Sequence, residues 1–198
     1  ATDPQWIVPH FEKMLYDNAG LLQNHVHAWQ LLGDPLFRDT AEGILRWADE
    51  VLSDRERGGY YASQDADVGL DDDGDYFTWT LDEVKGAVTA DEAPALALRY
   101  DVGERGEMRH NPKKNVLYVD KGVAEIAKEL GMPADRVGRL LASGTKKLKA
   151  ARDRRPMPAV DRTIFASWNG MMIAATLEAG TAFGRDDVTA FALKSLQR

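Results

Sequence analysis

The 198-residue sequence predicts a mainly α-helical fold built from about three helical hairpins, with a small β-hairpin insertion. Three observations predict it. Apolar residues recur at spacings of three and four over most of the chain. Short breaks carrying Gly, Asp or Pro divide the longest periodic runs into pairs. One stretch, residues 57–80, instead gathers short aromatic and β-branched runs on either side of an acidic centre.

The first periodic run starts at Pro9: Phe11, Met14, Leu15, Asn18, Leu22, His25, Trp29 and Leu32 follow at helical spacing, and Gly33-Asp-Pro35 stops it. Pro35 suits the first turn of a second helix, with Leu36, Phe37, Ala41, Ile44, Leu45, Ala48 and Leu52 on one side and Asp39, Glu42, Arg46 and Glu50 on the other. So short a connection makes the two antiparallel. Residues 57–63 and 75–80 then read as the strands of a β-hairpin. Thr80-Leu-Asp-Glu83 has the spacing of a capping box, so another helix starts there. A helix is expected at 91–100, an irregular segment at 103–114 and a short strand at 115–119. Residues 121–130 and 133–154 form a second helical hairpin broken at Gly131; Arg155-Pro-Met-Pro158 is a linker. Residues 165–183 and 187 onward form a third, broken at Gly184. The repetition is structural only, with no residue-level repeat.

Charge and composition narrow the function classes. With 25 Lys and Arg against 32 Asp and Glu, the net charge is −7, which supplies no overall cationic field for nucleic acid. The absence of Cys excludes disulfides, thiolate metal sites and a thiol nucleophile within the segment. The longest charge-free apolar stretch, residues 165–177, is too short to span a bilayer, so the segment is expected to be soluble and cytoplasmic, with no membrane partner. The sequence opens without Met and ends inside a helical pattern. We therefore expect one partial domain over residues 1–198, taken from a longer chain.

Three clusters carry candidate chemistry. In Trp6-Ile-Val-Pro-His-Phe-Glu-Lys-Met-Leu-Tyr-Asp-Asn18, the residues His10, Glu12, Lys13, Tyr16, Asp17 and Asn18 crowd into what reads as the first two turns of a helix. Ideal geometry puts His10, Lys13 and Asp17 on one side and Glu12 and Tyr16 on the next, toward a common cleft. The alternative is structural: carboxylates complementing the helix dipole, and a capping His. In Gly58-Gly-Tyr-Tyr-Ala-Ser-Gln-Asp-Ala-Asp67, the pair Asp65 and Asp67 supplies an acid and a base, or hydrogen bonds to sugar hydroxyls. Asp71, Asp73 and Asp75 match the start of a calcium loop, yet its sixth position is Tyr76 and its twelfth Asp82, so a hydrated hairpin tip is the better account and no metal is expected. In the third cluster, 154–170, Ser167 suits an N-cap, Trp168 a platform for a sugar face, and Asn169 a bridge to hydroxyls, with Asp161 and Arg162 alongside; a core-filling Trp is the competing reading. Phosphate loops, dinucleotide fingerprints, zinc-protease motifs and nucleophile elbows are absent from the sequence.

Taken together, Pro9-His-Phe-Glu-Lys-Met-Leu-Tyr-Asp-Asn18, Gly58-Gly-Tyr-Tyr-Ala-Ser-Gln-Asp-Ala-Asp67 with Tyr76-Phe-Thr-Trp-Thr80, and Arg155-Pro with Asp161-Arg and Ser167-Trp-Asn-Gly170 resemble, in order, three motifs of the spermatogenesis-associated protein 20 family and its bacterial thioredoxin-domain relatives. The resemblance implies an N-terminal thioredoxin-like domain, outside this segment, followed by an (α/α)6 toroid of the six-hairpin glycosidase class, similar to N-acylglucosamine 2-epimerases. The segment would be its N-terminal half. The toroid analogy gathers His10, Glu12, Asp17, Asp65 and Asp67 as catalytic candidates around a central cavity. Trp6, Tyr16, Asn18, Asp161, Trp168 and Asn169 serve as substrate-binding candidates, with a carbohydrate ligand and no cofactor. Gln64 and Val160-Asp-Arg162 depart from the family pattern, where an acidic residue and Asp-Asp-Lys are commoner. The expectation is a carbohydrate-active or carbohydrate-binding protein, glycosidase-like or sugar-epimerase-like if it is an enzyme. The alternatives are a ligand-binding toroid without catalysis and a non-catalytic scaffold presenting the thioredoxin-like domain to clients. A half toroid leaves apolar faces uncovered, so self-association is expected.

Overall fold

The computed structural model describes residues 2–70, 72 and 74–198. The chain, read above as one partial domain, packs as two compact units: Glu12–Asp65 with Ala159–Arg198, called here the hairpin unit, and Ala1–Phe11 with Ala66–Pro158, the insert unit.

The hairpin unit contains strands β1 (Lys13–Met14), β2 (Ser63–Gln64) and β3 (Val160–Asp161), and helices α1 (Leu15–Leu32), α2 (Pro35–Trp47), α7 (Ala166–Phe183) and α8 (Asp186–Leu196). Gly33 closes α1 in a left-handed conformation, its N–H donating to Trp29 O at 2.8 Å. Asp34 caps α2 by accepting from Leu36 N at 2.9 Å, and Pro35 opens the helix as expected. A π-helical turn, Ala48–Leu52, carries α2 onward. The three strands form an antiparallel sheet in the order β1-β2-β3, so β1 and β3 run the same way and the helices that follow them do too. Three contacts advance together along that parallel pair: Tyr16 with Trp168, Gln23 with Glu178, and Trp29 with Phe183. The core between the layers holds Leu15, Leu22, Val26, Leu52 and Met172, all fully buried, each contributing about 2 kcal/mol of apolar transfer free energy.

The insert unit contains α3 (Leu81–Ala87), α4 (Glu92–Tyr100), α5 (Val123–Leu130) and α6 (Ala134–Arg152). The capping box is present: Glu83 N donates to Thr80 Oγ1 at 3.1 Å, and Thr80 N to Glu83 Oε2 at 2.7 Å. Leu96, Ile126, Val137 and Val84 fill the main core, and Phe11 stacks on Phe77 in a smaller one. All three expected helical hairpins form, and the middle one, α5 with α6, packs with α3 and α4 inside this unit.

Three expectations are corrected. The helix placed from Pro9 begins at Leu15, because the backbone of Lys13 and Met14 is taken up by pairing with Gln64 and Ser63; tertiary hydrogen bonding overrides the apolar period. The β-hairpin of 57–63 with 75–80 does not form. β2 pairs with β1 and β3, while 74–78 winds into a turn in which Phe77 N and Thr78 N both donate to Gly74 O, at 2.9 and 3.1 Å. The strand expected at 115–119 reduces to a single bridge between Asn115 and Trp79. Asn115 is buried there, with its side-chain nitrogen within 3.1 Å of three carbonyls. Among the described residues, no helix is long and apolar enough to cross a membrane.

Candidate functional site

Eight of the eleven candidate site residues fall in the hairpin unit: Glu12, Tyr16, Asn18, Asp17, Asp65, Asp161, Trp168 and Asn169. They gather at one end of it, where the sheet meets the first turns of α1 and α7. The register pairs Lys13 with Gln64 and Ser63 with Asp161. Continued by one residue, it sets Glu12 opposite Asp65, whose N–H donates to Ala159 O at 2.8 Å. The pleat then puts Glu12, Asp65 and Asp161 on one face and Gln64 on the other. The three carboxylates are exposed, whereas Gln64 is buried and accepts from Trp47 Nε1 at 3.2 Å. Gln64 is therefore a neutral core amide.

Aromatic rings stand at the same end of the unit. Tyr16 and Trp168 meet edge to face at 4.9 Å, Phe165 leans on Trp168 at 4.5 Å, and Tyr16 keeps 37% of its surface exposed. Asp17 lies exposed in the first turn of α1. Two helix N-termini face this end, a field that favours carboxylates and anionic groups. Asp161 accepts from the Thr163 hydroxyl at 2.7 Å and its N–H at 2.9 Å, and these bonds hold its carboxyl below the usual carboxylate range. Asn18 donates to Met14 O at 2.8 Å.

Asn169 is placed differently from its expected role. It is buried, accepts from Tyr60 N at 2.7 Å and donates to Tyr60 O at 2.9 Å and Phe165 O at 3.1 Å. Gly58 and Gly59, at φ of +83° and +92°, let the chain slip under α8; a Cβ on Gly58 would sit 2.9 Å from Lys194 O. Gly59 N donates to Ser195 Oγ at 2.8 Å. The Gly58-Gly-Tyr-Tyr and Trp168-Asn-Gly170 motifs are thus welded through Tyr60 and Asn169, a structural use that spacing in sequence does not disclose.

Sequence reasoning missed a polar cluster on the same helix pair. Gln23 Nε2 lies 3.0 Å from Glu178 Oε1, and His27 Nε2 lies 3.0 Å from Glu178 Oε2. Tyr16, Gln23 and His27 follow one face of α1 at helical spacing. The readable signal was His27 eleven residues beyond Tyr16; its partner, 151 residues away, was not readable.

Trp6, His10 and Asp67 belong to the insert unit. Trp6 is 83% exposed on a left-handed backbone, and the Asp3 side chain accepts from the N–H groups of Gln5, Ile7 and Val8 around it. His10 is exposed beside Phe11, which packs with Ala66 and Phe77, and Asp67 accepts from Gly74 N at 3.0 Å. The shared helical face drawn for His10 and Asp17 is not formed, since His10 precedes the helix. Arg155 is an anchor: its guanidinium donates to the carbonyls of Asp75, Tyr76 and Thr78 and lies over Trp79 at 3.9 Å. Asp71 and Asp73 of the calcium-loop reading lie outside the described residues. Among the described residues, no three His, Asp or Glu side chains converge as a metal-holding group.

The chain is 36% identical to human spermatogenesis-associated protein 20 over 97% of its own length and 27% of that protein's, and 34% identical to the mouse protein over 96% and 27%. An uncharacterised protein of Caenorhabditis elegans is 24% identical over 88% of the chain and 27% of its own length. The chain therefore spans about a quarter of the curated relatives it matches. No protein-family model matches it.

Proposed function

We propose that the hairpin unit is a section of an (α/α)6 toroid that binds or acts on carbohydrate, with α1 and α7 as neighbouring inner helices and the sheet end as the saccharide site. One observation carries the reading: two parallel helices, each followed by an antiparallel outer helix, present an aromatic pair and four exposed carboxylates at the same end. Parallel inner helices backed by antiparallel outer ones are what a ring of α-hairpins requires. Aromatic rings beside carboxylates are what a sugar requires, a face to stack on and acceptors for its hydroxyls.

Within this reading Trp168 and Tyr16 hold a pyranose ring and Asp17 and Asp161 accept from its hydroxyls. Residues opposed in an antiparallel pair stand about 5 Å apart at Cα, so Glu12 and Asp65 can both reach one sugar ring, as the paired carboxyls of a glycosidase must. One would act as acid and base and the other as nucleophile; in an epimerase they would exchange the proton alone. His10 and Asp67 remain candidates of the insert unit for the same chemistry. The resemblance also supports a thioredoxin-like domain as partner in a longer chain.

Screening the protein against a saccharide library, with Glu12→Gln and Asp65→Asn beside it, tests the proposal. The expected result is turnover or saturable binding of at least one saccharide, with turnover lowered about 100-fold or more by either change. Turnover untouched by both changes removes the acid–base assignment, and no saccharide response at all favours the scaffold role.

A further inference from the structure

The hairpin unit also holds a cavity that shares no residue with the saccharide site, although Tyr60 of the Gly58-Gly-Tyr-Tyr motif lines it. It occupies about 250 Å³ in the groove between α2 and α8, over α7. The outer helices are bridged there by Arg185, which reaches Glu42 at 2.7 Å. The floor of the cavity is made by the Tyr60 and Thr176 hydroxyls, 3.2 Å apart, with Leu45 and Met172 around them. Tyr60 is buried, and burial pushes its hydroxyl up to about 12, so it stays protonated at neutral pH. Two hydroxyls joined by one hydrogen bond retain one O–H hydrogen and several lone pairs for a third group.

The rim is ionic and almost fully committed. Arg185 pairs in a fork with Asp187, at 2.8 and 2.7 Å, as well as with Glu42, and Arg55 pairs with Asp49. Arg46 is the exception: it lines the cavity, and among the described residues no ion pair engages it. Three arginines against Glu42, Asp49 and Asp187 make the lining neutral as a whole, which suits a ligand of one negative charge better than a dianion. The volume fits a metabolite of a dozen or so non-hydrogen atoms.

We propose that this groove is a binding site for a small hydroxylated monocarboxylate, such as a sugar acid, its carboxylate on Arg46 and its hydroxyls on Tyr60 and Thr176. The site shares no residue with the sheet-end site, so either proposal can fail without the other.

Calorimetric titration of the 198-residue chain with sodium gluconate, D-glucose and inorganic phosphate tests it, with Arg46→Gln and Tyr60→Phe as variants. Gluconate is expected to bind saturably, glucose at least about tenfold more weakly, and each variant to lose about tenfold or more in gluconate affinity. Arg46 lies at the surface, so its variant reads out binding even if Tyr60→Phe impairs folding; a thermal melt identifies that case. Absence of gluconate binding overturns the proposal. So does equal affinity in Arg46→Gln, or phosphate binding more tightly than gluconate through Arg46.

Discussion

At the scale of single residues, buried polar groups do more to fix this chain than its exposed ion pairs do. Asn169 satisfies both backbone groups of Tyr60. Asn169→Ala orphans them and is expected to lower the unfolding free energy by about 3 kcal/mol, measured by urea titration. Glu92 in the insert unit is 3% exposed and receives Lys147 Nζ at 2.7 and 2.8 Å and Thr89 N at 2.8 Å. The Lys147 ammonium, followed by the Thr89 N–H, holds its carboxyl at about 2. A depressed carboxylate stabilises the fold above its ordinary value near 4.5, and that contribution is lost as pH falls through the folded value. Melting temperature should therefore drop between about pH 4.5 and pH 2, and Glu92→Gln should flatten that part of the profile while lowering its neutral-pH plateau. A parallel profile in the variant would show that Glu92 is not the group responsible. Asn169 was legible as a special residue but not in its role. Density of polar residues marks a site, whereas commitment to a backbone 109 residues away is visible only in three dimensions.

Helices and their breaks were the most legible elements, because propensity, caps and period agree within them: Gly33 and Pro35 mark the first hairpin, Thr80 and Glu83 open α3, and Gly131 and Gly184 end α5 and α7. The strands were not legible, since two-residue elements carry no period and their partners lie far off in sequence. Lys13–Met14 looked helical for that reason, and Tyr76-Phe-Thr-Trp79 looked like a strand although Tyr76 and Phe77 pack from a turn and only Trp79 makes a bridge. Close helix packing gives a test at this scale. A Cβ on Gly180 would lie 2.3 Å from Thr189 Oγ1 and 3.2 Å from Thr189 N, where α7 meets α8. Gly180→Ala should destabilise by about 1–3 kcal/mol. Gly138→Ala on α6, where a Cβ meets open space, should stabilise by up to about 1 kcal/mol through helix propensity. Chemical denaturation of the pair reads both signs.

Across the whole molecule, two units with separate cores account for a feature that the sequence pattern merges: the middle helical hairpin belongs to the insert, and the first and third build the parallel pair. The connection of the α1–α2 hairpin exposes Leu31, Leu32 and Leu36, at 83, 70 and 65%. A patch of this kind favours association. Sedimentation velocity should show self-association that rises with concentration and is relieved by Leu31→Lys with Leu36→Glu; a monomer at every concentration would count against an uncovered face. The proposed saccharide site on the aromatic pair at the sheet end can be read from the five tryptophan indole N–H signals in a proton–nitrogen NMR titration with the best saccharide from the library screen. The Trp168 signal is expected to shift and saturate while those of Trp29, Trp47 and Trp79 stay in place. A saccharide that binds without moving the Trp168 signal would contradict the proposed site.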